Sequence, residues 1–239
     1  MKLTKNPDTL SIAALVLPFV LFLLLTSMEP TPEKEGFFGL LPYSSYPWVY
    51  TIKILLCAAL SGVGFFFWRR FFPLKFTTAT ISAIFLGALG TLLWVGICKL
   101  QMLWQLPTIG EFSRSAFNPF EHLQGSAAWA FWCVRMVGLA LIVPLVEEIF
   151  LRGFLLRFME GENWKELPVG THSRTSWIVV IVYAALTHPA EMYAAVLWFG
   201  LVTLFVQRTK NIWDAVALHA TTNLLLGLYV LRSGEWFFM

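Results

Sequence analysis

The stretch VPLVEEIFLRGFL, Val143 to Leu155, places two adjacent carboxylates and one arginine inside an apolar run. The charged residues are Glu147, Glu148 and Arg152, and their neighbours are mostly aliphatic or aromatic. Ionisable side chains inside a lipid-spanning helix are costly, so they are rare and by default indicate a functional site. The first question is therefore whether this stretch lies in a membrane.

The whole chain has the composition of an integral membrane protein. Of its 239 residues, 58% are hydrophobic and 13% are charged, whereas soluble domains are roughly 45–50% apolar and about 25% charged. The runs near 10–28, 48–68, 77–98, 128–158, 176–189, 191–207 and 212–231 are apolar, the fourth over-long and the fifth short. A crossing helix needs about 20 such residues. The sequence predicts an all-α, polytopic membrane helical bundle of about seven to eight transmembrane helices, because the runs lack the alternation of a membrane barrel.

We expect a single integral membrane domain over residues 1–239, with no soluble domain attached. Lys2 and Lys5 precede the first apolar run, as they would in a signal peptide. The run is nevertheless long enough to span a bilayer, and no clear small-x-small cleavage site follows it. A retained first helix is the favoured interpretation.

Basic residues are concentrated in alternate connections, which predicts the orientation. They occur at the N-terminus and in or beside the second, fourth and sixth connections: Lys2, Lys5, Arg69, Arg70, Lys75, Arg157, Lys165, Arg174, Arg208 and Lys210. This bias predicts a cytoplasmic N-terminus. The net charge of +3 is interpreted as a topology signal, so the lipid bilayer is an expected partner and nucleic acid is not.

The three cysteines carry no paired CxxC spacing of a metal site. Cys57, Cys98 and Cys133 lie in or beside apolar runs, far apart in the sequence. We expect all three to be small buried hydrophobic side chains.

The charges of the opening stretch differ in their helical positions. Glu148 and Arg152 are four residues apart with the acid first, which places them on one helical face in the favourable order. Glu147 lies about 100° around the helix from Glu148 and has no such partner in the stretch. The pattern predicts a structural role for Glu148 and leaves Glu147 available for chemistry.

Three further polar residues lie at a similar predicted depth. His188 ends the fifth run, and His219 and Asn223 share one face of the seventh helix. At a rise of about 1.5 Å per residue, Glu147, His188 and Asn223 each lie roughly 15–16 Å from the same membrane side, and His219 about 9 Å. The four groups can converge, although a single His or Asn often only bonds a neighbouring helix.

Such a set can perform general-base catalysis. A carboxylate and a histidine can hold and deprotonate water, while a second histidine and an amide can stabilise an oxyanion. Zinc held by Glu147, His188 and His219 is a rival, but the HExxH pattern is absent. A serine nucleophile lacks the GxSxG pattern. No metal or other cofactor is expected.

At these residues the chain resembles the CPBP family of membrane proteases, which contains CAAX prenyl proteases and bacteriocin-processing enzymes. "EEIFLR" is similar to its EExxxR motif, "HATTN" to its HxxxN/D motif, and His188 falls at its middle histidine, all within about residues 130–231. The resemblance implies a prokaryotic, CAAX-protease-like glutamic intramembrane endopeptidase, located in the inner membrane and acting on a membrane-associated protein or peptide. It implies that Glu147 and His188 activate water, that His219 and Asn223 stabilise the oxyanion, and that Glu148 and Arg152 support the site.

One position departs from the family pattern. The middle motif is written FxxxH, but Ala184 stands four residues before His188, and the nearest aromatic residue is Tyr183. The alternatives to a protease are a non-catalytic membrane scaffold or maturation partner and, third, a proton-coupled transporter. The oligomeric state, the substrate and its prenylation are left open.

Overall fold

The computed structural model describes residues 7–109 and 116–239, so Lys2 and Lys5 lie outside the described residues. The described chain is helical, and apart from two isolated bridges it contains no β-structure. The prediction of an all-α, multi-pass membrane protein is confirmed.

Seven helices carry the fold of the described residues. They are α1 (Pro7–Ser27), α2 (Tyr46–Trp68), α3 (Thr78–Leu103), α4 (Ser126–Phe158), α5 (Arg174–Thr187), α6 (Met192–Thr209) and α7 (Ile212–Ser233). Within the described ranges, all except α5 are long and apolar enough to cross a membrane, which makes six candidate spans and one shorter apolar helix. The over-long fourth run is α4, with 33 residues, and the short fifth run is α5, with 14.

The long α4 is not a regular helix. Its α-helical turns are interrupted by two π-helical segments, Gly138–Ile142 and Leu151–Leu155, on either side of Val143–Phe150. The chain divides into two compact units: Met1–Pro73 with Ser115–Phe150, and Leu74–Arg114 with Leu151–Met239. The boundary therefore falls within α4.

In the first unit, α1 packs against α2 and against Val143–Phe150, and α2 packs against the first half of α4. An aromatic core forms around Tyr50, Ile54, Phe117 and Phe131. Gly138 allows this packing, because a Cβ atom there would lie 2.5 Å from the Tyr50 hydroxyl oxygen. Small residues permit such close helix contacts in membrane proteins.

The buried cations of this unit have specific partners. Lys53 Nζ lies 2.6 Å from a Glu29 carboxylate oxygen, and Arg135 donates a 2.6 Å hydrogen bond to the Phe117 carbonyl. Both cations are 3% exposed. A buried charge is tolerated when it is paired and hydrogen-bonded, so these residues join connecting segments to the helices.

The expectation for the cysteines is wrong at one position. Cys57 and Cys98 are buried, whereas Cys133 is exposed. Cys133 lies four residues from both Trp129 and Val137, which are 54% and 48% exposed. Residues four apart share a helical face, so Cys133 belongs to the outward face of this part of α4.

In the second unit, α3 packs against α6 and α7, and α6 packs against α5 and α7. The contact of α3 with α7 is close at Gly87, where a Cβ atom would lie 2.5 Å from the Leu218 carbonyl oxygen. Hydroxyls add hydrogen bonds between these helices: Thr91 donates to the Thr222 carbonyl at 3.0 Å, and Thr222 to the Gly87 carbonyl at 3.0 Å. Small residues and hydroxyls commonly hold membrane helices together.

The connection before α5 is held by charged side chains. Arg157 donates to three backbone carbonyls, those of Gly153, Lys165 and Leu167. Glu160 accepts hydrogen bonds from the Ser173 backbone at 2.8 Å and from the Ser176 hydroxyl. Ser173 is the N-cap of α5, so Glu160 attaches the connection to the first turn of that helix.

Candidate functional site

The two adjacent carboxylates lie in the first unit, between the π-helical segments of α4. Glu147 is 4% exposed and Glu148 is fully buried. Pro144 has no backbone N–H to donate and disfavours a regular helix around it, and it lies two residues after the segment Gly138–Ile142. π-Helical turns are rare and frequently occur at functional sites. The local backbone is therefore unusual just where the charges are buried.

Arg152 lies in the second unit and donates two hydrogen bonds to α6. Its Nη2 donates to the Phe199 carbonyl at 3.1 Å and to the Thr203 hydroxyl at 3.3 Å. The guanidinium carbon also lies 5.5 Å from the centre of the Phe199 ring, within the range of a cation–π contact. These contacts were not expected from the sequence, and the pairing of Arg152 with Glu148 stays a prediction.

His188 lies at the end of α5, and its backbone has left the helix. Its φ and ψ are −131° and 61°, because the residue before a proline is disfavoured in the α region. Its ring is 5.3 Å from that of Trp94 and 5.4 Å from that of Phe199. The imidazole Nδ1 is 2.9 Å from the Thr187 hydroxyl oxygen. Pro189 and two aromatic rings therefore orient His188.

His219 and Asn223 lie on α7 at successive turns. His219 is 5% exposed, and its ring is 4.7 Å from that of Trp198 and 6.3 Å from that of Phe199. Asn223 is half-buried. The second unit thus brings Arg152, His188 and His219 together around Phe199. The approach of Glu147 to this group stays a prediction.

Phe199 is the residue that sequence reasoning missed. It is 1% exposed and lies in the apolar run of α6. The signal was a helical spacing of buried positions, Ala195, Phe199, Val202 and Val206, but their side chains carry no polar group. An apolar face predicts burial without indicating which polar groups pack on it.

Two buried tryptophans of the second unit, Trp94 and Trp198, contact the candidate histidines. Trp94 is 9% and Trp198 is 3% exposed, and their rings pack against each other at 6.2 Å. Trp198 donates its indole N–H to the Thr222 hydroxyl at 3.3 Å. A buried indole usually finds an acceptor in this way, and here it fixes the ring that contacts His219.

Ala184, which stands where the family motif has phenylalanine, lies at a buried position. Ala184 is fully buried, and Tyr183 is 8% exposed with its ring 5.6 Å from that of Phe199. The aromatic rings beside His188 come from Trp94 on α3 and Phe199 on α6. Aromatic contacts to His188 are thus present without an aromatic residue at position 184.

Over residues 7–109 and 116–239, no group of three or more His, Cys, Asp or Glu side chains is arranged to hold a metal ion.

Comparison with known proteins gives a match to the part of the chain that contains the candidate site. A family model described as "Rce1-like: Type II CAAX prenyl endopeptidase Rce1-like" matches residues 129–225, which include Glu147, Glu148, Arg152, His188, His219 and Asn223. No curated protein and no solved structure matches the chain. The resemblance stated from the motifs is confirmed: residues 129–225 of this multi-pass membrane protein match the model of the Rce1-like type II CAAX prenyl endopeptidases.

Proposed function

We propose that the chain is a glutamic intramembrane endopeptidase that hydrolyses a peptide bond of a membrane-associated protein or peptide. One observation carries the proposal: the matched segment 129–225 contains the EExxxR stretch, His188 and the HxxxN stretch in family order. The match supports CAAX-protease-like activity at the level of the family. The particular residues and their roles are the proposal.

In this mechanism, Glu147 and His188 activate a water molecule. The water oxygen attacks the scissile carbonyl carbon as its proton passes to this pair, which is general-base catalysis. His219 and Asn223 donate hydrogen bonds to the resulting oxyanion. When the C–N bond breaks, the amine leaves with that proton. One water is consumed, one carboxyl and one amine are formed, and the proposal invokes no metal or other cofactor.

The packing of the second unit supports these roles. The rings of His188 and His219 both contact Phe199, whose carbonyl accepts a hydrogen bond from Arg152. Catalytic groups act efficiently when surrounding residues hold them in a fixed geometry. Arg152 therefore has a supporting role through α6, beside its proposed pairing with Glu148.

The cellular setting is proposed from charge, composition and the family resemblance. The chain is a multi-pass membrane protein. We place it in a prokaryotic inner membrane because it resembles prokaryotic members of the family, and we place the N-terminus in the cytoplasm because of the basic connections. A substrate of such an enzyme must reach a site among membrane helices, so it is membrane-associated. CAAX-type peptides, with and without a prenyl group, are the first substrates to test.

The test compares wild-type protein with Glu147→Gln in lipid nanodiscs. The substrates are a farnesylated fluorogenic CAAX peptide and its unmodified counterpart, and cleavage in H₂¹⁸O is followed by mass spectrometry. We expect the wild type to release a product carrying one ¹⁸O atom in its new carboxyl group. Glu147→Gln should lose at least about 100-fold in kcat, the low end of general-base catalysis.

Glu162→Gln is the matched control, since Glu162 is an exposed carboxylate in the connection before α5. It should cleave as the wild type does. If Glu147→Gln keeps wild-type turnover, the glutamic mechanism is wrong. If a cellular function of the protein survives Glu147→Ala while the protein remains assembled, the scaffold alternative is favoured instead.

A further inference from the structure

The Thr187 hydroxyl lies between a backbone carbonyl and the imidazole of His188. Its oxygen is 2.8 Å from the Tyr183 carbonyl oxygen and 2.9 Å from His188 Nδ1. Both distances are those of hydrogen bonds. The proposed catalytic set does not include Thr187, so its contact with the histidine needs its own explanation.

The single proton of the Thr187 hydroxyl limits which group donates each of these two hydrogen bonds. A threonine hydroxyl has one proton to donate, and a carbonyl oxygen can only accept. If the hydroxyl donates to the Tyr183 carbonyl, its oxygen must accept from His188. The proton of a neutral imidazole is then on Nδ1, and the lone pair is on Nε2.

The surroundings keep the ring in this orientation. Thr187 is the last residue of α5, and its hydroxyl bonds the carbonyl one turn earlier, a common local contact of threonine in helices. Pro189 holds the His188 backbone out of the helix. Trp94 and Phe199 contact the imidazole ring, at 5.3 and 5.4 Å. A ring flip would have to displace these contacts.

We propose that Thr187 sets the tautomer of His188, with the proton on Nδ1 and the lone pair on Nε2. Thr187 is a positioning residue, because it acts through the histidine. The catalytic consequence rests on the proposed function: Nε2 becomes the nitrogen that can accept a proton from water. The hydrogen bond made by one ring nitrogen commonly determines which nitrogen carries the proton.

The test is ¹⁵N NMR of histidine-labelled protein in lipid bilayers, which distinguishes a protonated from an unprotonated ring nitrogen. The chain has four histidines, and a His188→Gln sample identifies the signals of His188. In the wild type we expect a protonated Nδ1 and an unprotonated Nε2 near neutral pH. Thr187→Val, which keeps the shape and loses the hydroxyl, should shift His188 toward the other tautomer. Thr187→Ser should restore the wild-type signals.

Steady-state kinetics provide the second test. Thr187→Val should lower kcat on the cleaved peptide by about 10- to 100-fold, as the loss of a partner that orients a metal-bound histidine does, with little change in KM. Thr51→Val is the matched control, because Thr51 makes the same kind of bond to the Pro47 carbonyl on α2, at 2.6 Å. Thr51→Val should leave the His188 signals and kcat unchanged.

A wild-type His188 protonated on Nε2 would overturn the proposal, even if Thr187→Val failed to fold. So would a Thr187→Val spectrum with unchanged His188 signals. The failure of one proposal can be distinguished from the failure of the other. If Nδ1 of His188 is protonated but the protein cleaves no peptide, the tautomer assignment stands and the proposed protease function is wrong.

Discussion

Arg152 donates a 3.1 Å hydrogen bond to the backbone carbonyl of Phe199, 47 residues later in the chain. The two residues come from the π-helical segment Leu151–Leu155 and from α6. The same Phe199 contacts both histidines of the candidate site. A buried guanidinium and an aromatic ring thus link the elements that carry the polar groups of the second unit.

Truncating Phe199 should destabilise the protein more than truncating a lipid-facing phenylalanine. Phe199→Ala removes a ring that is 1% exposed, and such a change costs about 3–5 kcal/mol of unfolding free energy. The matched change is Phe85→Ala on α3, since Phe85 is 65% exposed. Denaturant unfolding in mixed micelles measures both. Equal losses in the two variants would show that Phe199 is not a packing centre.

Substituting Arg152 should destabilise the protein more than substituting Thr203, whose hydroxyl accepts one of its hydrogen bonds. Arg152→Leu removes a buried cation and its hydrogen bonds to α6, and hydrogen bonds to charged groups contribute about 1.5–3 kcal/mol each. Thr203→Val removes only one of these bonds, so its loss should be about 1.5–3 kcal/mol and smaller than that of Arg152→Leu. The same unfolding assay compares them. A Thr203→Val loss as large as that of Arg152→Leu would contradict this ranking.

Gln101 should hold the turn that contains His188. Its side-chain amide donates a 2.7 Å hydrogen bond to the Ala190 carbonyl, between α5 and α6. Gln101→Leu should cost about 0.5–1.5 kcal/mol and speed amide hydrogen exchange in residues 188–195. Met102→Leu, at the partly exposed neighbouring position, should leave exchange there unchanged. Unaltered exchange in Gln101→Leu would falsify this role.

The contribution of Glu160 should depend on pH. Burial alone would raise the pKa of this carboxyl, but hydrogen bonds from the Ser176 and Ser173 side chains and the Ser173 backbone outweigh it and lower the pKa. A carboxyl with a lowered pKa in the fold stabilises above its unfolded value of about 4.3. That stabilisation is lost as the pH falls through the folded pKa.

Thermal unfolding of wild type and Glu160→Gln between about pH 3 and 7 tests this dependence. The difference in Tm should be constant near neutrality and shrink in acid. Glu162→Gln, which changes an exposed carboxyl, controls for the loss of a negative charge. A difference in Tm that grows as the pH falls would contradict a lowered pKa of Glu160 in the folded protein.

The helices could be predicted because bilayer thickness imposes long apolar runs, and the motifs because their residues resemble those of a known family. The over-long α4 and the short α5 are both visible in the sequence. The π-helical segments of α4 were not predicted, since apolar periodicity does not distinguish them from regular turns. Phe199 was missed because its own side chain is apolar and gives no sign of the polar groups that pack on it. The Lys53–Glu29 pair was missed because Glu29 lies in a connection, where contacts have no helical spacing.

The shortness of α5 has a consequence for how the chain is inserted into the membrane. Its 14 residues rise roughly 21 Å, while the hydrocarbon core is roughly 30 Å thick. Lipid has no hydrogen-bond donor for the backbone carbonyls of the turn that follows α5. The side-chain amide of Gln101 on α3 supplies one to the Ala190 carbonyl. We therefore expect α5 and α6 to enter the bilayer together as a helical hairpin that assembles against α3, which emerges earlier from the ribosome.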